Sequence, residues 1–164
     1  GASPCACPCA SIGVGARSGA RCAPACDLGA ACSGFWYGVG MAADIIRGGS
    51  AKYILVIGVE RLTDVVNKHD RGTSFIFADG AGAVVIGPAD TPGIGPIVWG
   101  GDGSQKDAIT MTASLNDFRN GIFPDYPTAV MAGQQVFRWP GGDMPKTTKE
   151  ALDTAGISDA ALDE

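Results

Sequence analysis

The chain has 164 residues, 46% of them hydrophobic and 18% charged, which suits one globular domain with an apolar core. Its formal net charge of −5 excludes the basic field by which proteins hold nucleic acid. No apolar run is long enough for a membrane span and no secretory signal is visible, so we expect a cytoplasmic protein without a membrane partner.

All six cysteines fall within the first 32 residues, where they could in principle hold a metal ion. They are Cys5, Cys7, Cys9, Cys22, Cys26 and Cys32. Paired C-x-x-C motifs are missing, and the only histidine, His69, is distant in sequence. We therefore predict no metal site, and a cysteine-rich metal or redox module remains an alternative.

The first half of the chain predicts two helices and a strand between them. A helix over 12–20 is possible, although Gly13 and Gly15 weaken it. A short strand around 25–28 is expected to turn sharply into a helix over 32–47. Small and apolar residues surround that second helix almost completely, so it should be buried, with its glycines allowing a neighbouring backbone to approach.

The middle of the chain predicts strands. The run YILVIGV (53–59) is continuously apolar, which is typical of a strand covered on both faces in a parallel sheet. GAVVIG (82–87) predicts a second strand, entered through an Asp-Gly turn, and IGPIVWGG (94–101) a possible third. Strands separated by helices favour the α/β fold class.

The last part of the sequence predicts helices interrupted by prolines. Residues 129–139 look helical until Pro140 and two glycines break the pattern. A second helix is expected from Pro145, capped by Asp143 and closed by Gly156, with one short turn after it.

Cys32 has three possible roles from the residues alone. It could fill space in a packed helix, since free cysteine is often buried. It could bind a metal together with the upstream cysteines. It could also be a nucleophile at a strand-to-helix corner, where the helix N-terminus favours the thiolate and its N–H groups could stabilise an oxyanion.

Several collinear segments resemble the thiolase-like condensing enzymes, in particular the β-ketoacyl-acyl-carrier-protein synthase III family. The segments are DLGAACSGFWYGV (27–39), AADIIRGGSAKYILVIGVE (42–60), DRGTSFIFADGAGAVVIG (70–87), GIGPIVWGGDGS (93–104) and MAGQQVFRW (131–139). They occur in the order and at the spacing of the family. The resemblance covers residues 22–139 well and 144–164 fairly.

The resemblance implies a thiolase-like fold, layered α-β-α-β-α in the full enzyme, and a homodimer. Residues 1–164 would be a single partial domain, an internal fragment holding most of the N-terminal half and the start of the C-terminal half. Residues 1–21 match poorly, 22–128 would complete the N-terminal half, and 129–164 would begin the C-terminal half. Such a chain is expected to expose apolar strand edges, to fold poorly alone and not to condense substrates.

The implied reaction is a decarboxylating condensation that starts fatty-acid or polyketide chains. Cys32 would take an acyl group from acyl-CoA and pass it to malonyl-acyl-carrier protein, with no metal or redox cofactor. An acyltransferase of the same fold that does not decarboxylate is the alternative.

The resemblance also implies roles for other residues. Arg71 would contact the CoA nucleotide, although alone it would be interpreted as part of a surface ion pair with Asp70 or a neighbour. Leu62 and Phe77 would line the acyl pocket, and otherwise they would be counted as core. The pantetheine channel would be lined by Gly133, Val136 and Phe137, which could equally be one apolar helix face.

Some features depart from the family pattern. The family's catalytic histidine and asparagine lie in its C-terminal half, beyond the segments matched here. We interpret His69 as an exposed turn residue and not as the catalytic histidine. Residues 1–21 and the Pro140-Gly141-Gly142 run interrupt what the family has as helices.

Overall fold

The computed structural model describes residues 10–20 and 22–162. Its helices are α1 (Ala10–Arg17), α2 (Gly34–Arg47), α3 (Leu115–Arg119) and α4 (Gly133–Ala155). Its strands are β1 (Ile54–Arg61), β2 (Asp79–Ile86), β3 (Ile109–Met111) and β4 (Ala129–Met131). The chain divides into a first unit, which runs to Gly58 and includes Val84–Gly87, and a second unit formed by Val59–Ala83 and the residues from Pro88 onward.

In the first unit, α2 packs closely on β1 through a glycine. A Cβ atom on Gly38 would lie 2.8 Å from Cγ1 of Val56 and 3.7 Å from Cδ1 of Leu28. The prediction that a neighbouring backbone approaches this glycine is wrong, because the close neighbours are the side chains of Val56 and Leu28. The helix is buried on one face only, because Trp36 on its other side is 71% exposed.

The strands predicted over 53–59 and 82–87 are confirmed as β1 and β2, which pair in a two-stranded sheet. The prediction that the first is covered on both faces is wrong. Among its apolar residues Val56 is buried, whereas Leu55, Ile57 and Val59 are exposed. These exposed side chains lie on the faces of β1, so they do not test the separate expectation of exposed strand edges.

Two predicted strands do not form. Residues 94–101 have no regular structure, and Pro96 within them lacks the N–H group that a strand needs for pairing. Residues 25–28 are also irregular and lead into a single turn. Sequence periodicity failed here because an apolar run says nothing about whether a pairing partner is present.

The second unit contains an unpredicted antiparallel pair, β3 with β4. Met111 pairs with Ala129, and Ile109 pairs with Met131. Ala129 also forms a parallel bridge to Val66, and its N–H donates to the Val65 carbonyl at 2.7 Å. The helix predicted from residue 129 therefore begins only after this strand.

Helix α4 continues through both of its prolines, so the predicted break after residue 139 is wrong. Proline in a helix interior removes a hydrogen bond and tends to kink the chain, yet its fixed φ remains helical. Asp143 is inside α4, where it pairs with Lys146 at 3.4 Å, and is not a cap. Gly156 ends the helix as predicted, in the left-handed conformation with φ of 68°. The short turn predicted after it is confirmed over Asp159–Ala161.

Near the N-terminus the predicted helix is present as α1, which begins two residues earlier and ends three residues earlier than predicted. The structure offers, over the residues it describes, no helix of the length and apolarity required to span a membrane.

Candidate active site

Cys32 lies on a strained corner directly before α2. It is the middle residue of the single 3-10 turn Ala31–Ser33. Ala31 has a φ of 46°, a conformation that costs a non-glycine residue free energy and that clusters at functional sites. The N–H and Oγ of Ser33 both donate to the Ala30 carbonyl, at 3.1 and 2.8 Å, which closes the turn.

The packing of α2 on β1 holds the turn that bears Cys32 in position. Phe35, one turn after Cys32, covers Gly58, since a Cβ there would be 3.3 Å from Cδ2 of Phe35. The Phe35 ring also meets that of Trp36 edge-on, with centroids 5.9 Å apart. The thiol of Cys32 is free and exposed. Cys32 is therefore not buried in this chain, as a core filler would be.

The metal alternative gains no support from the described residues, since among them no three His, Cys, Asp or Glu side chains come together. Cys5, Cys7 and Cys9, on which that alternative depended, lie outside the described residues.

Arg71 lies on a tight turn that is stabilised by hydrogen bonds to the side chain of Asp70. The carboxylate of Asp70 accepts hydrogen bonds from the Gly72 N–H and from Oγ1 of Thr73, both at 2.8 Å. These two bonds hold the pKa of Asp70 below its usual value. Thr73 is fully buried, whereas Arg71 is exposed. The alternative ion pair with Asp70 is absent from the described ion pairs, which leaves the guanidinium available to a ligand.

His69 is exposed, as expected for a turn residue. Its backbone N–H donates to Oδ1 of Asn67 at 3.0 Å.

The two candidate acyl-pocket residues, Leu62 and Phe77, are both half-buried in the second unit. Leu62 begins the short turn that follows β1. The N–H of Phe77 donates to the carbonyl of the buried Thr73 at 3.2 Å. Both residues are thus held by local structure while keeping part of their surface free.

Sequence reasoning missed Asp79, and the Asp-Gly turn predicted there is wrong, because Asp79 and Gly80 are the first two residues of β2. The Asp79 carboxylate accepts from the Thr63 N–H at 2.9 Å and from Oγ1 of Thr63 at 2.6 Å. These bonds, helped by the nearby charge of Arg61, lower the pKa of Asp79. In the sequence this pair shows only as an aspartate sixteen residues after a threonine. The fold is what brings the two side chains together.

The three candidate pantetheine residues lie in the first turns of α4. Val136 is half-buried, and Phe137 is 86% exposed. The N–H of Ala132 donates to the Ala108 carbonyl at 2.8 Å, which fixes the start of the helix next to β3. Gly133 opens the helix and is exposed.

The structure groups these residues in two sets. Cys32 belongs to the first unit, and the other six candidates belong to the second. Within the second unit, Leu62 and Phe77 share the Thr63–Asp79 connection, and Gly133, Val136 and Phe137 share the start of α4.

Comparison with solved structures defines the class of the fold. The priming β-ketosynthase of the R1128 polyketide biosynthetic pathway matches with a TM-score of 0.91 and 39% identity, over 99% of this chain and 48% of that one. The β-ketoacyl-acyl-carrier-protein synthase III of Thermus thermophilus matches with a TM-score of 0.82 and 28% identity, over 99% of this chain and 50% of that one. The chain therefore has the thiolase-like α/β fold, as predicted.

Sequence comparison narrows this class to a family. Residues 26–103 match the family described as 3-oxoacyl-[acyl-carrier-protein] synthase III. A β-ketoacyl-acyl-carrier-protein synthase III of Streptomyces glaucescens is 44% identical over 156 residues, which are 95% of this chain and 47% of that protein. The chain belongs to the β-ketoacyl-acyl-carrier-protein synthase III family, and it spans about half the length of the curated relatives it matches.

Proposed function

We propose that the whole protein is a condensing enzyme that starts fatty-acid or polyketide chains and uses Cys32 as its nucleophile. The observation that supports this proposal most strongly is the exposed thiol on a strained corner at the start of α2. Strained non-glycine conformations persist where surrounding structure fixes them, which suits a group that must be held ready for reaction.

The first half-reaction transfers an acyl group from CoA to the enzyme. The thiolate sulfur of Cys32 attacks the thioester carbonyl, and collapse of the tetrahedral intermediate expels CoA as its thiolate. The product is an acyl thioester on Cys32. Sulfur suits both directions of the transfer, because a thiolate is a strong nucleophile and a good leaving group.

The second half-reaction forms a carbon–carbon bond. Malonyl-acyl-carrier protein loses carbon dioxide, and the resulting carbanion attacks the acyl carbonyl on Cys32. The β-ketoacyl product leaves on the carrier protein and the Cys32 thiolate is regenerated. We assign His69 no role in this step and keep its interpretation as an exposed turn residue.

The remaining candidates would bind the substrate. The free guanidinium of Arg71 suits the phosphates of the CoA nucleotide, for which arginine offers a planar fork of donors. Leu62 and Phe77 would contact the acyl chain, and Gly133, Val136 and Phe137 the pantetheine arm. We also propose that the whole protein is a cytoplasmic homodimer that receives its second substrate from acyl carrier protein.

Intact-mass measurement of the whole protein after incubation with acyl-CoA tests the first half-reaction. One added acyl group is expected, and no adduct would overturn the proposal. Adding malonyl-acyl-carrier protein then separates the two fold-compatible activities. Release of carbon dioxide with loss of the adduct supports condensation, whereas transfer without carbon dioxide indicates a non-decarboxylating acyltransferase.

A further inference from the structure

Thr63 and Asp79 form a two-bond connection between segments that are distant in sequence. Both carboxylate oxygens of Asp79 are used, one for the Thr63 N–H and one for its hydroxyl, at 2.9 and 2.6 Å. Charged hydrogen bonds with two contact points fix direction as well as distance. We call this arrangement the Thr63–Asp79 clamp.

The clamp joins the two backbone segments that hold the candidate acyl-pocket residues. Leu62 directly precedes Thr63 in the short turn after β1, and Phe77 lies two residues before Asp79, the first residue of β2. A second connection holds the other side of Phe77, whose N–H donates to the Thr73 carbonyl. Leu62 and Phe77 therefore have restricted freedom to move apart.

We propose that Asp79 is a positioning residue that sets the spacing of Leu62 and Phe77 and thereby the acyl-chain preference of the enzyme. This inference depends on the proposed function of Cys32 and on the proposed roles of the two apolar residues. The physical reason is that a small change in the width of an apolar pocket alters discrimination between acyl groups that differ by a few methylenes. Asp79 itself acts through Thr63 and does not touch substrate in this proposal.

The test compares acylation of Cys32 by acetyl-, butyryl- and octanoyl-CoA in the whole protein and in two variants. Asp79→Asn removes the carboxylate charge, and Thr63→Val removes the hydroxyl bond while keeping the N–H bond. Each is expected to change the ratio of acetyl to octanoyl acylation rates by about tenfold, the scale of small differences in pocket fit. Thr63→Ser retains both donors and should keep the ratio of the parent protein.

A matched control separates positioning from general stability. Oγ of Ser114 accepts a comparable bond from the Asp117 N–H at 3.0 Å on α3, a helix without candidate substrate residues. Ser114→Ala should lower the melting temperature without changing the ratio. The double variant Asp79→Asn with Thr63→Val should shift the ratio no further than the larger single effect, because both act on one clamp.

The outcomes distinguish this inference from the proposed function. If the parent protein forms the adduct but the variants keep its ratio within about twofold, well below the effect expected of pocket fit, the inference is overturned and the function stands. If Asp79→Asn does not fold, the ratio measured in Thr63→Val decides the question. If the parent protein forms no adduct with any of the three acyl-CoAs, the proposed function fails and this inference with it.

Discussion

The corner of Cys32 and the turns that bear Leu62, Arg71 and Phe77 are stabilised in different ways. Around Cys32 the order comes from close apolar packing, in which Gly38 lies against Val56 and Phe35 covers Gly58. The other turns are ordered by aspartate side chains that accept pairs of hydrogen bonds. The nucleophile should therefore respond to side-chain volume, whereas the candidate substrate contacts should respond to charge and acid.

Cys32→Ala gives the largest expected effect and tests the chemistry of the first region. Acylation by acyl-CoA should be lost completely, because alanine has no atom to attack the thioester. Intact mass after incubation measures this directly. Cys26→Ala is the matched control, since Cys26 is another free, exposed thiol a few residues earlier. An adduct that survives in Cys32→Ala and is lost in Cys26→Ala would show that Cys26 is the nucleophile instead of Cys32.

Gly38→Ala tests whether close packing supports the corner. The new methyl group would meet Cγ1 of Val56 at 2.8 Å, and the stiff valine side chain has little freedom to give way. We expect a loss of about 1–3 kcal/mol in the free energy of unfolding, measured with urea, despite the better helix propensity of alanine. Gly34→Ala in the same helix meets nothing within 4 Å and should cost no stability. Equal stabilities of the two variants would contradict this view of α2.

Arg71→Ala tests the substrate side of the comparison. Loss of a charged contact to the CoA phosphates should raise KM for acyl-CoA about tenfold, or ~1.4 kcal/mol, with kcat unchanged. A simple acyl-pantetheine thioester lacks the nucleotide and should be used equally well by both proteins. Arg119→Ala, at the end of α3, should leave both substrates unaffected. A lower kcat with unchanged KM would argue for a role in the chemistry instead.

Acid should weaken the aspartate-ordered turns, and this is the smallest effect expected. The folded-state pKa values of Asp70, Asp79 and Asp102 are lowered from 3.8 by the hydrogen bonds that their carboxylates accept. A lowered pKa contributes stability that is present above the unfolded value and is lost as pH falls through the folded value. Urea midpoints should therefore decline below about pH 4, the ordinary range of an aspartate.

Asp102→Asn makes the acid test more specific. The Asp102 carboxylate accepts hydrogen bonds from both the N–H and the hydroxyl of Ser104. Asp102 is also distant in sequence from the candidate pocket residues. Its stability deficit at pH 7 should shrink toward pH 3. A deficit that stays constant with pH would show that the carboxylate charge is not what orders the turn.

Much of the fold was predictable from residues that are close in sequence. Continuous apolar runs predicted β1 and β2, and a long stretch of small and apolar residues predicted α2, because each of these patterns lies within a single element. The same approach failed at α4, where the proline rule predicted a break that the helix does not have. It also failed at β3 and β4, whose three-residue segments have no periodicity to detect.

The sequence by itself determined the family, the position of Cys32 before a helix and the candidate substrate residues, because these depend on motifs read along the chain. Only the tertiary structure decided that Cys32 is exposed on a strained turn and that the described ion pairs do not include Arg71 with Asp70. It alone revealed that Asp79 reaches back to Thr63. Exposure and hydrogen-bond partners are set by which distant segments pack together, and no local pattern records that choice.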